Sequence, residues 1–315
     1  MRHRPPAPLV GVITLILLSA SLSLWASLII LAGLLKLLLP TAALRAACTR
    51  VTLLFARAWV HCNRAVFRLL HRPRWQLRLR GRLDPGRSYL LIANHRSWAD
   101  ILVLCDLFDG RAPFPRFFLK RQLLYVPLLG AACWAVDMPF MRRHSAEAVA
   151  RNPALRRQDI ETTRRVCEKY REQPVTVVNF VEGTRLDPAK QAHNGQGFQH
   201  LLRPKSGGLA FALAALAEHL DGLIDATIAY ASPDGHSVLW SFLCGRQNDL
   251  IVEAEVLPID TARMIGDYEG DPAFRAAFQA WINERWRIKD GRLERLGREL
   301  AARVGTFSDS TPQNR

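Results

Sequence analysis

Negative charge is almost missing from the first third of this chain. Residues 1–100 hold fifteen Lys and Arg against two acids, Asp84 and Asp100, so nearly all of the formal charge of +15 sits at one end. Such a lopsided balance suits a polyanionic partner, either nucleic acid or the anionic face of a membrane. Paired cysteines are missing too. Cys48, Cys62, Cys105, Cys133, Cys167 and Cys244 are scattered with no C-x-x-C pair, which fits reduced, packed thiols. His193 and His200 lie near no cysteine pair, so no zinc site is expected. The chain contains no G-x-S-x-G elbow, P-loop, H-E-x-x-H or G-x-G-x-x-G, which excludes the commonest hydrolase, nucleotide and metalloprotease signatures. Disorder throughout is excluded by 49% hydrophobic residues.

What is present begins with a membrane signature. Leu9 to Leu35 contains no charged side chain. As a helix, at ~1.5 Å per residue, it reaches roughly 40 Å, more than the ~30 Å hydrocarbon core. A cleaved signal peptide has a shorter apolar region of ~7–15 residues. The pattern therefore predicts a retained membrane helix over 9–39. Length alone does not decide whether it crosses the bilayer or stays in one leaflet. Over 41–70, Arg50, Arg57, His61, Arg64 and Arg68 fall on one stripe of a helix, with Val51, Leu54, Phe55, Ala58, Val66 and Leu69 largely away from it. This predicts an amphipathic basic helix lying among anionic headgroups, although an ordinary solvated helix face has the same pattern. The basic flank continues through Arg72, Arg74, Arg78, Arg80 and Arg82, and charge bias places everything after residue 36 on the cytoplasmic side. An RNA module would interleave aromatics with basic residues on strands, whereas here the basic residues adjoin an apolar helix, so no nucleic-acid partner is expected. The chain divides into an anchor, 1–74, and a globular domain, 75–315.

In the globular part, apolar runs at Ser88–Ala93, Arg116–Leu119, Val175–Val181, Asp225–Ala231 and Leu250–Leu257 read as strands. Trp98–Phe108, Ser145–Glu172, Ser206–His219 and Ala273–Arg303 read as helices, and Asp187–Arg203 as a polar loop. Strands alternating with helices predict an α/β domain, a central sheet flanked by helices.

Three polar clusters interrupt this pattern. In Asn94-His95-Arg96-Ser97-Trp98-Ala99-Asp100, a strand end opens into a helix, and Asp100 falls about one turn in. The loop can fold back so that the carboxylate orients one imidazole nitrogen and leaves the other free as a general base. Taken alone, the pattern also suits a helix-capping loop. Phe180-Val181-Glu182-Gly183-Thr184-Arg185 ends the strongest strand. Gly183 permits a tight turn, Thr184 offers a hydroxyl, Arg185 offers a planar fork for phosphate, and Glu182 could hold that fork or bond a glycerol hydroxyl; a strand-to-loop turn with a surface ion pair fits the same residues. Arg203-Pro204-Lys205-Ser206-Gly207-Gly208 puts a cation, the Ser206 hydroxyl and exposed amides at a helix start, which suits an anion or a plain N-cap.

Together, over roughly residues 85–231, these clusters resemble the glycerolphosphate acyltransferases of the lysophosphatidic acid acyltransferase (PlsC) type. Asn94-His95 followed by Asp100 is similar to that family's N-H-x₄-D motif, and Phe180 to Arg185 to its F-x-E-G-T-R motif. Phe140-Met141-Arg142 resembles the end of its second motif, and Lys120 resembles a basic residue kept before it. Asp225-Ala226-Thr227-Ile228-Ala229-Tyr230, in place of the usual Val-Pro, looks closer to the bacterial YihG-like branch and to eukaryotic enzymes acting on lysophosphatidate or lysocardiolipin. The resemblance implies that His95 and Asp100 are catalytic. It also implies that Glu182, Gly183, Thr184, Arg185, Arg142, Lys205 and Lys120 bind substrate. Acyl-CoA or acyl carrier protein would bring the acyl chain to the 2-hydroxyl of 1-acyl-sn-glycerol 3-phosphate or of another lysophospholipid. No metal and no further cofactor would be required. The implied location is the cytoplasmic side of the cell inner membrane, among anionic phospholipids. A silent, membrane-tethered lipid-binding protein is the rival reading.

Overall fold

The computed structural model describes residues 6–141, 151, 161, 170, 173–187, 190, 197–231 and 237–308. The expected helix over Ser145–Glu172 and the candidate residue Arg142 lie outside the described residues. Two long helices come first, α1 (Ala7–Leu38) and α2 (Ala42–Leu70). The break between them holds Pro40, and Thr41 caps α2 by accepting a hydrogen bond from the Leu44 amide.

The sheet follows: β1 (Arg74–Arg80), β2 (Tyr89–Ala93), β3 (Pro115–Phe117), a short pair β4 (Leu119–Lys120) and β5 (Phe140–Met141), β6 (Thr176–Phe180), β7 (Gly222–Tyr230) and β8 (Asp249–Leu257). Helix α3 (Ala99–Phe108) follows β2, and α4 (Leu129–Ala135) lies between β4 and β5. Six strands form one sheet in the order β1-β8-β7-β2-β6-β3, parallel except where β7 meets β8. The mixed α/β architecture expected from the alternating pattern is therefore present.

Side chains alternate across this sheet. Leu90, Ile92, Val177 and Leu223 face the helix Ser206–Leu216 and the C-terminal helix Pro272–Ser308. Tyr89, Leu91, Ala93, Val178, Ile224 and Ile228 face α2, α3 and the helix Val238–Leu243. Val60 and Phe67 of α2 belong to that second core. Helix α2 therefore shares a core with the sheet.

Two differences from the sequence reading concern charge. Residues 74–80 form an edge strand of the sheet, in which Arg74 pairs with Asp249 and Arg78 with Glu299 of the C-terminal helix. On α2, the stripe meets acids of the globular part: Arg64 pairs with Asp106 and Asp109, His61 Nε2 lies 2.7 Å from Asp109, and Arg57 lies 3.9 Å from it. Only the two ends of the stripe, Arg50 and Arg68, are exposed arginines.

Helix α1 is long and apolar enough to cross a bilayer. Small and polar residues, Gly11, Thr14, Ser21, Ala26, Ala32 and Gly33, form its buried side. A Cβ added at Gly11 would meet Cys244 Sγ at 2.6 Å, and one at Gly33 would meet Ala135 Cβ at 2.5 Å. Thr14 Oγ1 lies 2.8 Å from His71 Nε2, and Lys36 donates to Asp137 at 2.9 Å. The helix is thus held to the globular part at both ends, about 33 Å apart at ~1.5 Å per residue.

Candidate active site

The site lies past the carboxyl ends of β2 and β6, which are adjacent and parallel. Ligands in open α/β sheets commonly bind outside such strand ends. Ala93 ends β2, and Asn94 turns inward; its amide accepts from the Ile228 N–H at 2.8 Å and donates to the Ile228 carbonyl at 3.0 Å. It therefore stands in for a strand against the part of β7 that outruns β2. His95 follows, half-buried at the mouth of the loop.

Asp100 is fully buried in the first turn of α3. Its Oδ2 accepts from His95 Nδ1 at 2.8 Å, from the Arg96 amide at 2.7 Å and from the Ser97 amide at 2.9 Å. Its Oδ1 accepts from the Tyr230 hydroxyl at 2.6 Å. A carboxylate ringed by four donors acts as an acceptor, so Nδ1 carries a proton, and in the neutral imidazole the lone pair is then on Nε2. Phe180 stacks on the imidazole with ring centroids 4.0 Å apart, which fixes the ring plane. The geometry is half of a hydrolase triad, with the nucleophile's place open to a substrate hydroxyl.

The second cluster folds over the first. Gly183 adopts φ +68, a left-handed turn that L side chains disfavour, and its amide bonds the Phe180 carbonyl at 2.8 Å. The Leu186 amide then bonds the His95 carbonyl at 2.8 Å, joining the two loops. Thr184 Oγ1 accepts from Lys190 Nζ at 2.9 Å, and the Arg185 guanidinium lies 5.1 Å from the Trp98 ring centroid. A cavity of about 420 Å³ results, lined by His95, Trp98, Lys120, Gly183, Thr184 and Arg185 among others. It shares Trp98, Ile101, Phe117, Leu119 and Leu123 with a second, wholly apolar cavity that runs between α3, α4 and the helix pair α1–α2.

Five of the expected polar residues thus meet at one cavity: His95, Lys120, Thr184 and Arg185 on its wall, and Asp100 behind His95. Glu182 and Lys205 do not line it. Glu182 is 1% exposed under the loop, and burial pushes its carboxyl up to about 8. It approaches the His95 and Leu202 amides, yet neither oxygen closes a hydrogen bond of regular geometry. The Lys205 amide bonds the Val181 carbonyl at 2.9 Å, and the residue is exposed without lining the cavity. The neighbouring Ser206 hydroxyl, expected to be open to an anion, is buried 2.6 Å from the Tyr268 hydroxyl. Tyr230, Phe180, Trp98 and Lys190 were not expected in these roles. Phe180 lay inside a motif and Tyr230 at the end of a strand, but their partners are set by sheet register.

The acyltransferase family model matches residues 75–231, about half of the chain. The chain belongs to the acyltransferase family. This family member is 28% identical over 226 residues to lysocardiolipin acyltransferase 1 of Danio rerio, covering 67% of this chain and 53% of that protein. It is 25% identical over 232 residues to 1-acyl-sn-glycerol-3-phosphate acyltransferase epsilon of Mus musculus, covering 68% of this chain and 60% of that protein. The chain thus spans between half and two thirds of the length of these curated relatives. A crystal structure of the 1-acyl-sn-glycerophosphate acyltransferase PlsC of Thermotoga maritima aligns over 85% of this chain and 95% of its own, with a TM-score of 0.44 and 16% identity.

Proposed function

We propose that this chain is an O-acyltransferase that moves an acyl group from a thioester, acyl-CoA or acyl carrier protein, to the 2-hydroxyl of 1-acyl-sn-glycerol 3-phosphate. The observation that carries the reading is the His95–Asp100 pair opening, with Arg185, onto one cavity. His95 Nε2 takes the hydroxyl proton as the oxygen attacks the thioester carbonyl. The tetrahedral intermediate collapses and expels the thiolate, which receives that proton from the imidazolium. Asp100 stabilises the imidazolium, and Tyr230 holds Asp100. Arg185, Lys120 and Lys190 stand where a phosphate would meet cations. The apolar cavity suits an acyl chain. So drawn, the reaction uses no metal and no cofactor besides the thioester.

A second acceptor, a lysocardiolipin-type lysophospholipid, is favoured by the likeness to the Danio rerio protein and by the variant segment Asp225–Tyr230. The reading also includes residence on the cytoplasmic face of an inner membrane, supported by the cationic N-terminal third beside α1.

The test is acyl transfer by the full-length protein with a panel of lysolipids and thioester donors. Lysophosphatidate turnover is expected to fall about 10²–10⁴-fold in His95→Ala, the usual worth of a general base, and less in Tyr230→Phe, which keeps the base but frees its carboxylate. Undiminished turnover in His95→Ala would refute the mechanism. Faster turnover of lysocardiolipin would move the acceptor to the second reading.

A further inference from the structure

We infer that Leu124–Leu128 is a hydrophobic wedge that enters the bilayer and admits the lipid acceptor sideways to His95. The second half of this statement rests on the acyltransferase reading; the first does not.

Residues 124–128 are five consecutive exposed positions, and four are large and apolar: Leu124 (36% exposed), Tyr125 (72%), Val126 (40%) and Leu128 (42%). Single exposed apolar residues are ordinary, but a contiguous run marks an interaction site. The run is also rigid. A Cβ at Gly130 would lie 2.2 Å from the Leu124 carbonyl oxygen and 2.5 Å from that of Leu123, so the 3-10 turn Arg121–Tyr125 is clamped onto the start of α4. Leu128 holds φ +60, and the Leu129 amide bonds the Pro127 carbonyl at 2.6 Å. A bulky residue kept in that region is strained, and such strain collects at functional segments.

The bilayer is the occupant that the surroundings fit. The wedge leads directly into α4, whose Ala135 packs on Gly33 of α1, and α1 exposes Leu24, Leu31, Leu34, Leu35 and Leu38. The wedge therefore extends an apolar surface already suited to lipid. Lys120 and Arg121 precede it, and a Tyr at its tip suits the headgroup boundary. A second copy would bring the same cations face to face.

The other side of the wedge is the cavity wall. Gln122, Leu123 and Val126 line it together with His95 and Arg185, and Leu123 also lines the apolar cavity. A lysolipid leaving the bilayer along this edge keeps its chain against Leu123 and Val126 while its phosphate meets Lys120 and Arg185. Its tail never crosses water.

Two measurements on the full-length protein test this. The first is Tyr125→Trp on vesicles of phosphatidylcholine and phosphatidylglycerol with brominated acyl chains. Its emission should shift to the blue and be quenched beyond that of the parent, which has eight tryptophans. No added quenching overturns the wedge. The second is the double change Leu124→Ser with Tyr125→Ser, neither residue being on the cavity wall. The apparent KM for vesicle-borne lysolipid should rise at least about tenfold through lost apolar burial, with that for a short-chain, water-soluble lysolipid unchanged. An equal rise in both, or none, overturns lateral delivery. If the wild type turns over neither lysolipid, the acyltransferase reading fails, and quenching still decides the wedge. A dimer that the double change abolishes, without quenching, would assign the surface to a second copy and overturn the proposal.

Discussion

Glu182 stands at the end of the strand that carries the phosphate-type motif, yet its carboxyl is buried beneath the loop and raised from 4.5 to about 8 by desolvation. Between those values the unfolded chain releases this proton while the folded chain keeps it, so stability falls as pH rises across that window. Glu182→Gln keeps the neutral shape and removes the ionisation. The thermal midpoint of the wild type is expected to drop relative to Glu182→Gln as pH goes from 5 to 8.5, and a pH-independent difference would count against this account. At this scale the sequence was legible where partners are close along the chain. His95 and Asp100 are five residues apart across one strand-to-helix turn, and they meet at 2.8 Å. Tyr230 reaches the same carboxylate from 130 residues away, and nothing local announces it. Glu182 belongs to the motif, but which way its side chain turns depends on the loop packed above it.

Helix α2 shows how an element's pattern is legible in the sequence while some of its partners are not. Its basic stripe exists, but Arg64, His61 and Arg57 face Asp106 and Asp109 at the end of α3. The two acids fall outside the helix, so periodicity within 41–70 could not reveal them. Partly buried pairs of this kind hold elements together, whereas exposed cations answer to headgroups and salt. Arg64→Gln is therefore expected to lower the thermal midpoint and to leave the dependence on anionic lipid nearly unchanged. Arg50→Gln with Arg68→Gln should do the reverse, as vesicle sedimentation across phosphatidylglycerol content would read. Loss of lipid dependence in Arg64→Gln would return the central stripe to the membrane. Strand β1 teaches a similar lesson. Its arginines follow the basic helix in sequence, but Arg74 pairs with Asp249 of the neighbouring strand and Arg78 with Glu299 of the C-terminal helix. A buried example ties the C-terminal helix to the sheet: Lys289 and Arg285 reach Asp225 on β7. Burial opposes ionisation of Asp225, and those two cations outweigh it to hold the carboxylate below its ordinary value.

For the molecule as a whole, the open question was the course of α1. Gly11 packs on Cys244 and Trp240, and Gly33 on Ala135, so the globular part flanks this helix along most of its length. A helix crossing the bilayer would pull that protein surface, with its polar backbone, into hydrocarbon. The arrangement favours α1 lying in one leaflet with its exposed leucines outward. A cysteine introduced as Pro6→Cys should then react with a membrane-impermeant thiol reagent only after cells are permeabilised. Labelling of intact cells at that position would instead establish a crossing.

The sequence by itself determined the alternating α/β order, the apolar length of α1 and the two motifs at strand ends. These depend on near neighbours, on periodicity within one element and on a few residue types that chemistry requires. Tertiary structure alone decided that β2 and β6 are adjacent, which brings His95 and Arg185 to one cavity. It also decided that β7 presents Tyr230 to Asp100, that three α2 side chains of the stripe answer to protein acids, and that α1 is docked at both ends. Each of these follows from strand register or from packing between distant segments, where the physical cause is a neighbour that the local sequence does not contain.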